Sequence, residues 1–477
     1  MAVLRLVALL ALAQVSVGCF NPTYSDATLC ATGGACPAGR LCVDGHCLRT
    51  GGSDGGGAQG DAASGPRLRL VKMGEGAGNV NATSGATLGC DVFCPSVEVG
   101  VTTGTTVTLE AFPQSGSYFQ GFTGACEGPR RTCRISVNSD GLITVNARFA
   151  PIEHNLIFVS STKVPGDFGG VKAADAICAE DAEESGLRGT FVALLAGGGQ
   201  SAMDHLLPTG GALSRGFVRV DGLPVADTAI GLIIEHRMWY PPTLTQDGEP
   251  YSGQVWTGSD STGLDDANQQ CSGWMTTLAA ATGATGLAGS GPLLMNYENK
   301  SCGTPLPFLC VMQDKSAPTS PSTTPGKKIF VSDSGLVVGA GFAGATTACR
   351  SGGSANAVPF LALEGTSAAS RLSMATVYVR PDGIRVGTGA QIAAGELETG
   401  IWVTWAGVPT TAKYIWTGST NPKESSEANT ATCDNWNDKS AIGGGIPGLP
   451  TLDPKLWWWT GVNRTCGNNS PVYCVEP

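Results

Sequence analysis

Charge is scarce in this chain. Asp, Glu, Lys and Arg make up 14% of its 477 residues, well under the usual ~25%, which excludes a coiled coil and charge-driven disorder as descriptions of the whole. What charge there is leans acidic, with 29 basic against 39 acidic residues and a formal net charge of −10. No basic cluster offsets it, so nucleic acid and heparin-like partners are excluded. Histidine is rarer still: His46, His154, His205 and His236 are the four, and residues 327–477 contain none. No CxxC pair exists either, which leaves zinc a poor account of the cysteines. After residue 18 no uninterrupted apolar run approaches the ~20 residues a membrane-spanning helix needs. No GxSxG, HExxH, P-loop or GxGxxG stands in the strand and helix context that would give it meaning.

Glycine, by contrast, is abundant. Its 68 residues are about twice the usual ~7% share and point to a turn-rich, β-rich chain of about three domains at ~150 residues each. Residues 1–18, MAVLRLVALLALAQVSVG, place one Arg before a Val/Leu/Ala run and end in small residues, the pattern of a secretion signal. Ser16-Val17-Gly18-Cys19 resembles a bacterial lipobox, in which cleavage precedes an acylated cysteine, although Ser16 stands where that motif prefers Leu. The resemblance implies a lipid on Cys19, with plain secretion as the alternative. Phe20, rather than Asp, after the lipidated position leans towards the outer membrane.

The cysteine count agrees. Of 17 cysteines, setting Cys19 aside leaves four quartets. They are Cys30, Cys36, Cys42 and Cys47; Cys90, Cys94, Cys126 and Cys133; Cys178, Cys271, Cys302 and Cys310; and Cys349, Cys433, Cys466 and Cys474. An even set in each segment suits disulfides formed in an oxidising compartment. Residues 19–49 are too few to build an apolar core, so a small disulfide-rich knot is expected there; CPAGRLCVDGHC resembles small EGF-like or knottin-like modules. Residues 50–65, TGGSDGGGAQGDAASG, read as a flexible tether.

From residue 66 to 151 short alternating runs appear, among them LRLVKM, SVEVGV, TVTLEAF, CRISV and ITVNARFAP, split by Gly, Asn, Asp and Ser: these are strands. Their order, with GFTGAC between them, resembles the divergent InlB-type β-repeat of bacterial surface proteins, most of which carry Trp where this chain has Phe122. The resemblance implies a single spacer or display module. Cys126 is expected to bond Cys133, closing a hairpin, and Cys90 to bond Cys94.

The rest is an internal duplication. Ile157-Phe158-Val159-Ser160 recurs as Ile329-Phe330-Val331-Ser332, Val218-Arg219-Val220-Asp221-Gly222 as Val379-Arg380-Pro381-Asp382-Gly383, and Trp256-Thr257-Gly258 as Trp416-Thr417-Gly418. Cys271-Ser272-Gly273-Trp274 answers Cys433-Asp434-Asn435-Trp436, and the closing Cys302-Gly303 with Cys310 answers Cys466-Gly467 with Cys474. Between the copies residues 315–326, KSAPTSPSTTPG, read as an extended, solvated linker. Four cysteines per copy allow three connectivities, and spacing does not choose among them. The IFVS opening, the Cys178 segment, the WTG and the closing Cys-Gly-x-x-x-Pro-x-x-Cys look like the endostatin-like domain of unknown function found in bacterial lipoproteins. That resemblance covers residues 155–313 and 327–477. It implies a C-type-lectin-like fold and nested bridges, Cys178 to Cys310 around Cys271 to Cys302, and Cys349 to Cys474 around Cys433 to Cys466. Locally, GVKAADAICAEDAEESG puts Val171, Ala174 and Cys178 on one helix face with acids on the other.

Chemistry is thin. Asp204-His205 is at most half a dyad, and Asp265-Asp266 and Glu183-Glu184 are neighbours that do not converge by themselves. Trp436-Asn437-Asp438 matches a calcium-lectin triplet but follows the second cysteine instead of preceding the third, with no Glu-Pro-Asn or Gln-Pro-Asp beside it. The acidic loops Asp260 to Asp266 and Glu424 to Glu427 leave Asp260, Asp265 and Asp266 as weak calcium candidates. Trp457-Trp458-Trp459 cannot all face one side of a strand, so at least one faces outward unless loops cover all three; they are the candidate ligand contacts. Trp256 and Trp416 read as core.

The reading is therefore a multidomain, mainly β protein with α+β modules, and no catalytic residue or cofactor is expected. Its order is signal peptide 1–18, lipidated Cys19 and disulfide-rich module 19–49, linker 50–65, InlB-type β-repeat 66–151, endostatin-like domain 152–314, linker 315–326 and endostatin-like domain 327–477. That order suits a surface lipoprotein presenting two modules for adhesion to an extracellular protein or glycan, with contacts in the loops between the second and third cysteines. A structural envelope or spore-coat protein, or an unrecognised hydrolase, is the alternative.

Overall fold

The computed structural model describes residues 36, 40–43, 46–49, 65–207, 215–426 and 431–477. The expected signal peptide, Cys19, Cys30, nearly all of the 50–65 tether and Glu427 lie outside the described residues. In the N-terminal unit, strands Arg40–Val43 and His46–Arg49 pair antiparallel and Cys36 bonds Cys47. Residues 65–477 form the second compact unit, which is mainly β with few helices.

Two four-stranded sheets make the first part of that unit. One runs Ser96–Gly100, Arg67–Met73, Leu142–Pro151, Ser117–Gly124; the other Gly89–Cys90, Gly78–Ser84, Thr106–Pro113, Thr132–Ser136. Burial alternates along Arg67–Met73, Thr106–Pro113 and Thr132–Ser136, so one row of side chains meets the facing sheet, while Ser117–Gly124 is buried on both faces over most of its length. Leu68, Leu70, Val107, Leu109, Phe122, Val145 and Phe149 fill the space between. Cys90 bonds Cys94 and Cys126 bonds Cys133. The second bridge does not close a hairpin: Ser117–Gly124 and Thr132–Ser136 belong to opposite sheets, so it staples the crossover between layers.

The two copies share one topology. In the first, strand Asn155–Val159 lies parallel to Arg215–Arg219 and antiparallel to Leu309–Met312, with Phe191–Ala193 and Pro224–Thr228 at the edges. In the second, Lys327–Val331 takes the centre beside Val377–Val379 and Tyr473–Val475, with Val358–Pro359 and Arg385–Thr388 outermost. The central strands are continuous apolar runs because both faces are covered; Ile157, Phe158, Ile329 and Phe330 are fully buried. One face carries a helix, Val171–Glu184 or Gly341–Arg350, whose cysteine reaches the sheet through Cys178–Cys310 or Cys349–Cys474. Inside each outer bridge sits Cys271–Cys302 or Cys433–Cys466. The first helix departs from its expected faces: Asp181 points inward, 2% exposed, where its carboxylate accepts from the Thr162 hydroxyl at 2.7 Å and the Thr162 N–H at 3.2 Å. Those bonds make burial of an acid tolerable.

Both copies contain a turn of left-handed backbone at the second cysteine. Cys271, Ser272 and Trp274, and Cys433 through Trp436, all have positive φ between 50° and 67°. Left-handed geometry costs about 1–2 kcal/mol per ordinary residue, least for Gly and Asn, which accounts for Gly273 and Asn435 inside it. The turn drives the indole inward, where Trp274 Nε1 donates to Ala196 O and Trp436 Nε1 to Ala362 O.

The parts are packed together, not spaced apart. Tyr118 of the β-repeat joins the core of the first copy, with Ala150 packed against it, and Arg131 pairs with Asp247 at 2.9 Å. Residues 315–326 form no helix or strand and keep most of their side chains exposed, yet they are strapped down at several points. Asn155 binds both the N–H and the carbonyl of Lys315, Thr319 N–H donates to Asp227, and Thr324 N–H donates to Gly383 O. Between the copies, Trp402 and Val403 of the second insert into the core of the first.

Candidate functional site

The loops between the second and third cysteines, expected to meet a ligand, largely meet each other. Leu287 and Leu293 of the first copy pack on Leu449 of the second, with Tyr297, Tyr414 and Leu456 around them. The backbones follow: Leu452 N–H donates to Gly289 O, Ser290 Oγ to Pro450 O and Thr451 Oγ1 to Gly289 O. The physical reason is composition, since SGPLLM and GIPGLPTL are too apolar to stand in water as free loops.

The three consecutive tryptophans divide. Trp457 and Trp458 end a turn, residues 454–458, and Trp459 follows it; none is in a strand. Trp457 and Trp458 are 1% and 2% exposed and are corrected from ligand contacts to core: they pack on each other, on Tyr473 and on Phe360. Tyr473 pins the turn by donating to the carbonyls of Leu449 and Trp457, and burial pushes its phenol well up, so it stays a donor. Trp459 alone reaches the surface, 38% exposed. Trp256 and Trp416 are fully buried.

Around Trp459 the surface is unusual. Asn463 donates to Gly443 O at 2.8 Å, drawing the turn of Ile442 against the segment of Trp459 and Val462; Ile442 and Val462 are 97% and 61% exposed. Through Asn463 the same segment reaches a hollow of about 780 Å³, lined also by Ser419, Thr420, Lys423, Glu424, Ser425, Ser426, Ala431 and Ile446. Its wall is ordered from within. Asn421 Oδ1 accepts the N–H groups of Lys423 and Glu424, Thr420 donates to Glu424, and Ser419 Oγ accepts from Trp458 Nε1 at 3.1 Å. The buried tryptophan thus holds the wall while its neighbour faces out. Hydroxyls, an amide and opposite charges line the hollow, groups equipped to bind a polar ligand.

The remaining sequence candidates do not assemble. His205 turns from Asp204 and meets Asp175 at 2.8 Å; Asp204 accepts from Ser201 at 2.6 Å. Asp204 is occupied as the partner of the helix-capping serine. Asp260 accepts from Thr262 and Leu264 and Asp266 from Asn268, within their own loop, while Asp265 accepts from Gly199 of another loop, so each calcium candidate holds backbone. Burial raises the Asp265 carboxyl, against the Gly199 N–H, with Asp266 adding repulsion. Among the described residues no three His, Cys, Asp or Glu side chains gather as a metal set.

What residue-by-residue reading missed is the partner of the repeated V-R-x-D-G turn. Arg219 binds Asp221 and the carbonyl of Pro241 within its own copy. Arg380, 1% exposed, binds Asp382 and then crosses to Met238 O at 2.9 Å in the other copy. A repeated arginine with an acid two residues on was the available signal.

Residues 79–153 match the family model of the divergent InlB B-repeat domain. The match begins after strand Arg67–Met73, which pairs parallel with Leu142–Pro151 at the centre of one sheet. No curated protein matches the chain.

Proposed function

We propose that the protein is a non-catalytic binding protein of the bacterial cell surface, held by a lipid on Cys19 and presenting an adhesive face on its second copy. The observation that carries this is Trp459, an exposed indole on the same segment as exposed Val462 and as Asn463, which lines a polar hollow. Exposed tryptophans anchored from behind are frequent hot spots, because the ring buries a large area with little ordering to lose. The InlB-type match supports a surface-associated module. The nested bridges and the shared five-stranded sheet support the endostatin-like, C-type-lectin-like reading of the copies.

The test is saturable binding of purified full-length protein to immobilised matrix proteins and cell-wall glycans. Trp459→Ala is expected to weaken it at least about tenfold, one hot spot's worth. Absence of saturable binding by the parent protein would instead favour a structural envelope role. The anchor is checked apart: Cys19→Ala should lose metabolic palmitate label and membrane partitioning, and retention of both removes it.

A further inference from the structure

A second groove lies on the seam between the β-repeat and the first copy. Two hollows, about 700 and 540 Å³, adjoin, with Gln120, Arg148 and Leu223 lining both. Each is within the ~300–1,000 Å³ of ordinary ligand sites, and junctions between domains are where such sites concentrate. We propose that this groove binds a neutral saccharide segment.

Three structural parts converge to build it. Strand Ser117–Gly124 supplies Tyr118 and Gln120, the V-R-x-D-G turn of the first copy supplies Gly222 and Leu223, and the strap between the copies supplies Thr319, Ser320 and Ser322. Gly222 has φ of 86°, and a Cβ there would stand 2.5 Å from Gln120 Nε2 and 3.0 Å from Tyr118 Oη. Only glycine lets the turn come so close. The strap is pinned on both sides of Ala317, by Lys315 on Asn155 and Thr319 on Asp227, so its hydroxyls are in place before any ligand arrives.

The lining chemistry selects the ligand class. Gln120 Nε2 donates to Tyr118 Oη at 3.1 Å, which turns the amide oxygen into the acceptor offered to the groove. Arg148, Glu75 and Glu153 line the first hollow and make no ion pair among the described residues. Burial above all, with Asp221 and Glu153 adding, raises the Tyr118 phenol and keeps it protonated. Hydroxyls, an amide, carboxylates and one guanidinium offer donors and acceptors in alternation, as vicinal hydroxyls require. Carboxylates outnumber the guanidinium, so anionic ligands are disfavoured. An extended peptide finds no strand to extend at Phe122, whose N–H and carbonyl are both taken by Gly128, at 2.9 and 3.1 Å. In the second hollow Leu223 and Pro129 give an apolar wall for the C–H face of a sugar ring.

The experiment is calorimetric titration of purified full-length protein with chitohexaose, cellohexaose and mannohexaose, and with oligogalacturonate as the anionic comparator. At least one neutral oligosaccharide is expected to bind. Gln120→Ala with Arg148→Ala should weaken that binding tenfold or more, while Trp459→Ala stays within twofold. Neither side chain is buried, and Gln120→Glu, keeping the shape, is expected to retain most of the affinity. Failure of all three neutral probes, equal binding of oligogalacturonate, or indifference to the double substitution overturns the proposal. Loss on Trp459→Ala alone also overturns it, and would assign the sugar to the hollow of the second copy.

Discussion

Replacing Trp402 by alanine is expected to destabilise the protein by about 3–5 kcal/mol, the usual range for truncating a buried Trp, and to separate the unfolding of the two copies. Trp402 belongs to the second copy but is fully buried among Ile157, Leu294, Met295 and other core residues of the first. Its Nε1 donates to Met238 O at 3.3 Å, and the Arg380 guanidinium lies 5.0 Å from its ring centroid. Removal leaves a cavity and strips the arginine of its stacking partner, in an interior that relaxes only partly. Denaturant titration followed by fluorescence checks this: the parent should lose both copies in one transition, the variant in two, starting earlier. A loss below about 1 kcal/mol with a single transition would mean that the wedge does not couple the copies.

The second large effect concerns loop size. Cys178 and Cys310 are separated by 132 residues, and the chain-entropy argument assigns such a bridge up to about 5 kcal/mol. Cys90 and Cys94 are separated by 4, for which the same argument gives about 2 kcal/mol. Cys178→Ala with Cys310→Ala should therefore lower the denaturant midpoint far more than Cys90→Ala with Cys94→Ala. The outer bridge also ties helix Val171–Glu184 to strand Leu309–Met312, so its loss frees the helix face that buries Ala174 and Ala182. Equal losses, or a larger one from the short loop, would contradict the ranking.

Together these two expectations describe a protein stiffened at two scales. Disulfides hold each copy; an indole and an arginine hold the copies to each other. That stiffness has a consequence for recognition, because both candidate sites depend on segments fixed before binding. The hollow lined by Asn463 rests on Trp458 through Ser419, and the seam groove rests on a strap pinned at Lys315 and Thr319.

Legibility followed the range of the forces involved. The strands of the β-repeat could be read because alternation along LRLVKM or TVTLEAF reports which face is dry, and the duplication could be read because the same local turns recur at the same motifs. Trp459 was legible only as one of three adjacent indoles. Which of them faces water depends on Phe360 and Tyr473, distant in the chain. His205 illustrates the same limit: its neighbour in sequence is Asp204, its partner in space is Asp175, 30 residues earlier.

Pattern and composition alone thus determined a disulfide-bearing, mainly β chain with an InlB-like segment and two copies of one module, because periodicity, turn glycines and cysteine parity are local quantities. Only the tertiary structure decided that the copies are wedged together, that their apolar loops cover one another, and that a polar groove opens on the seam. Those outcomes come from burial between segments more than a hundred residues apart, where complementary shape rather than any one residue's preference selects which surfaces leave water.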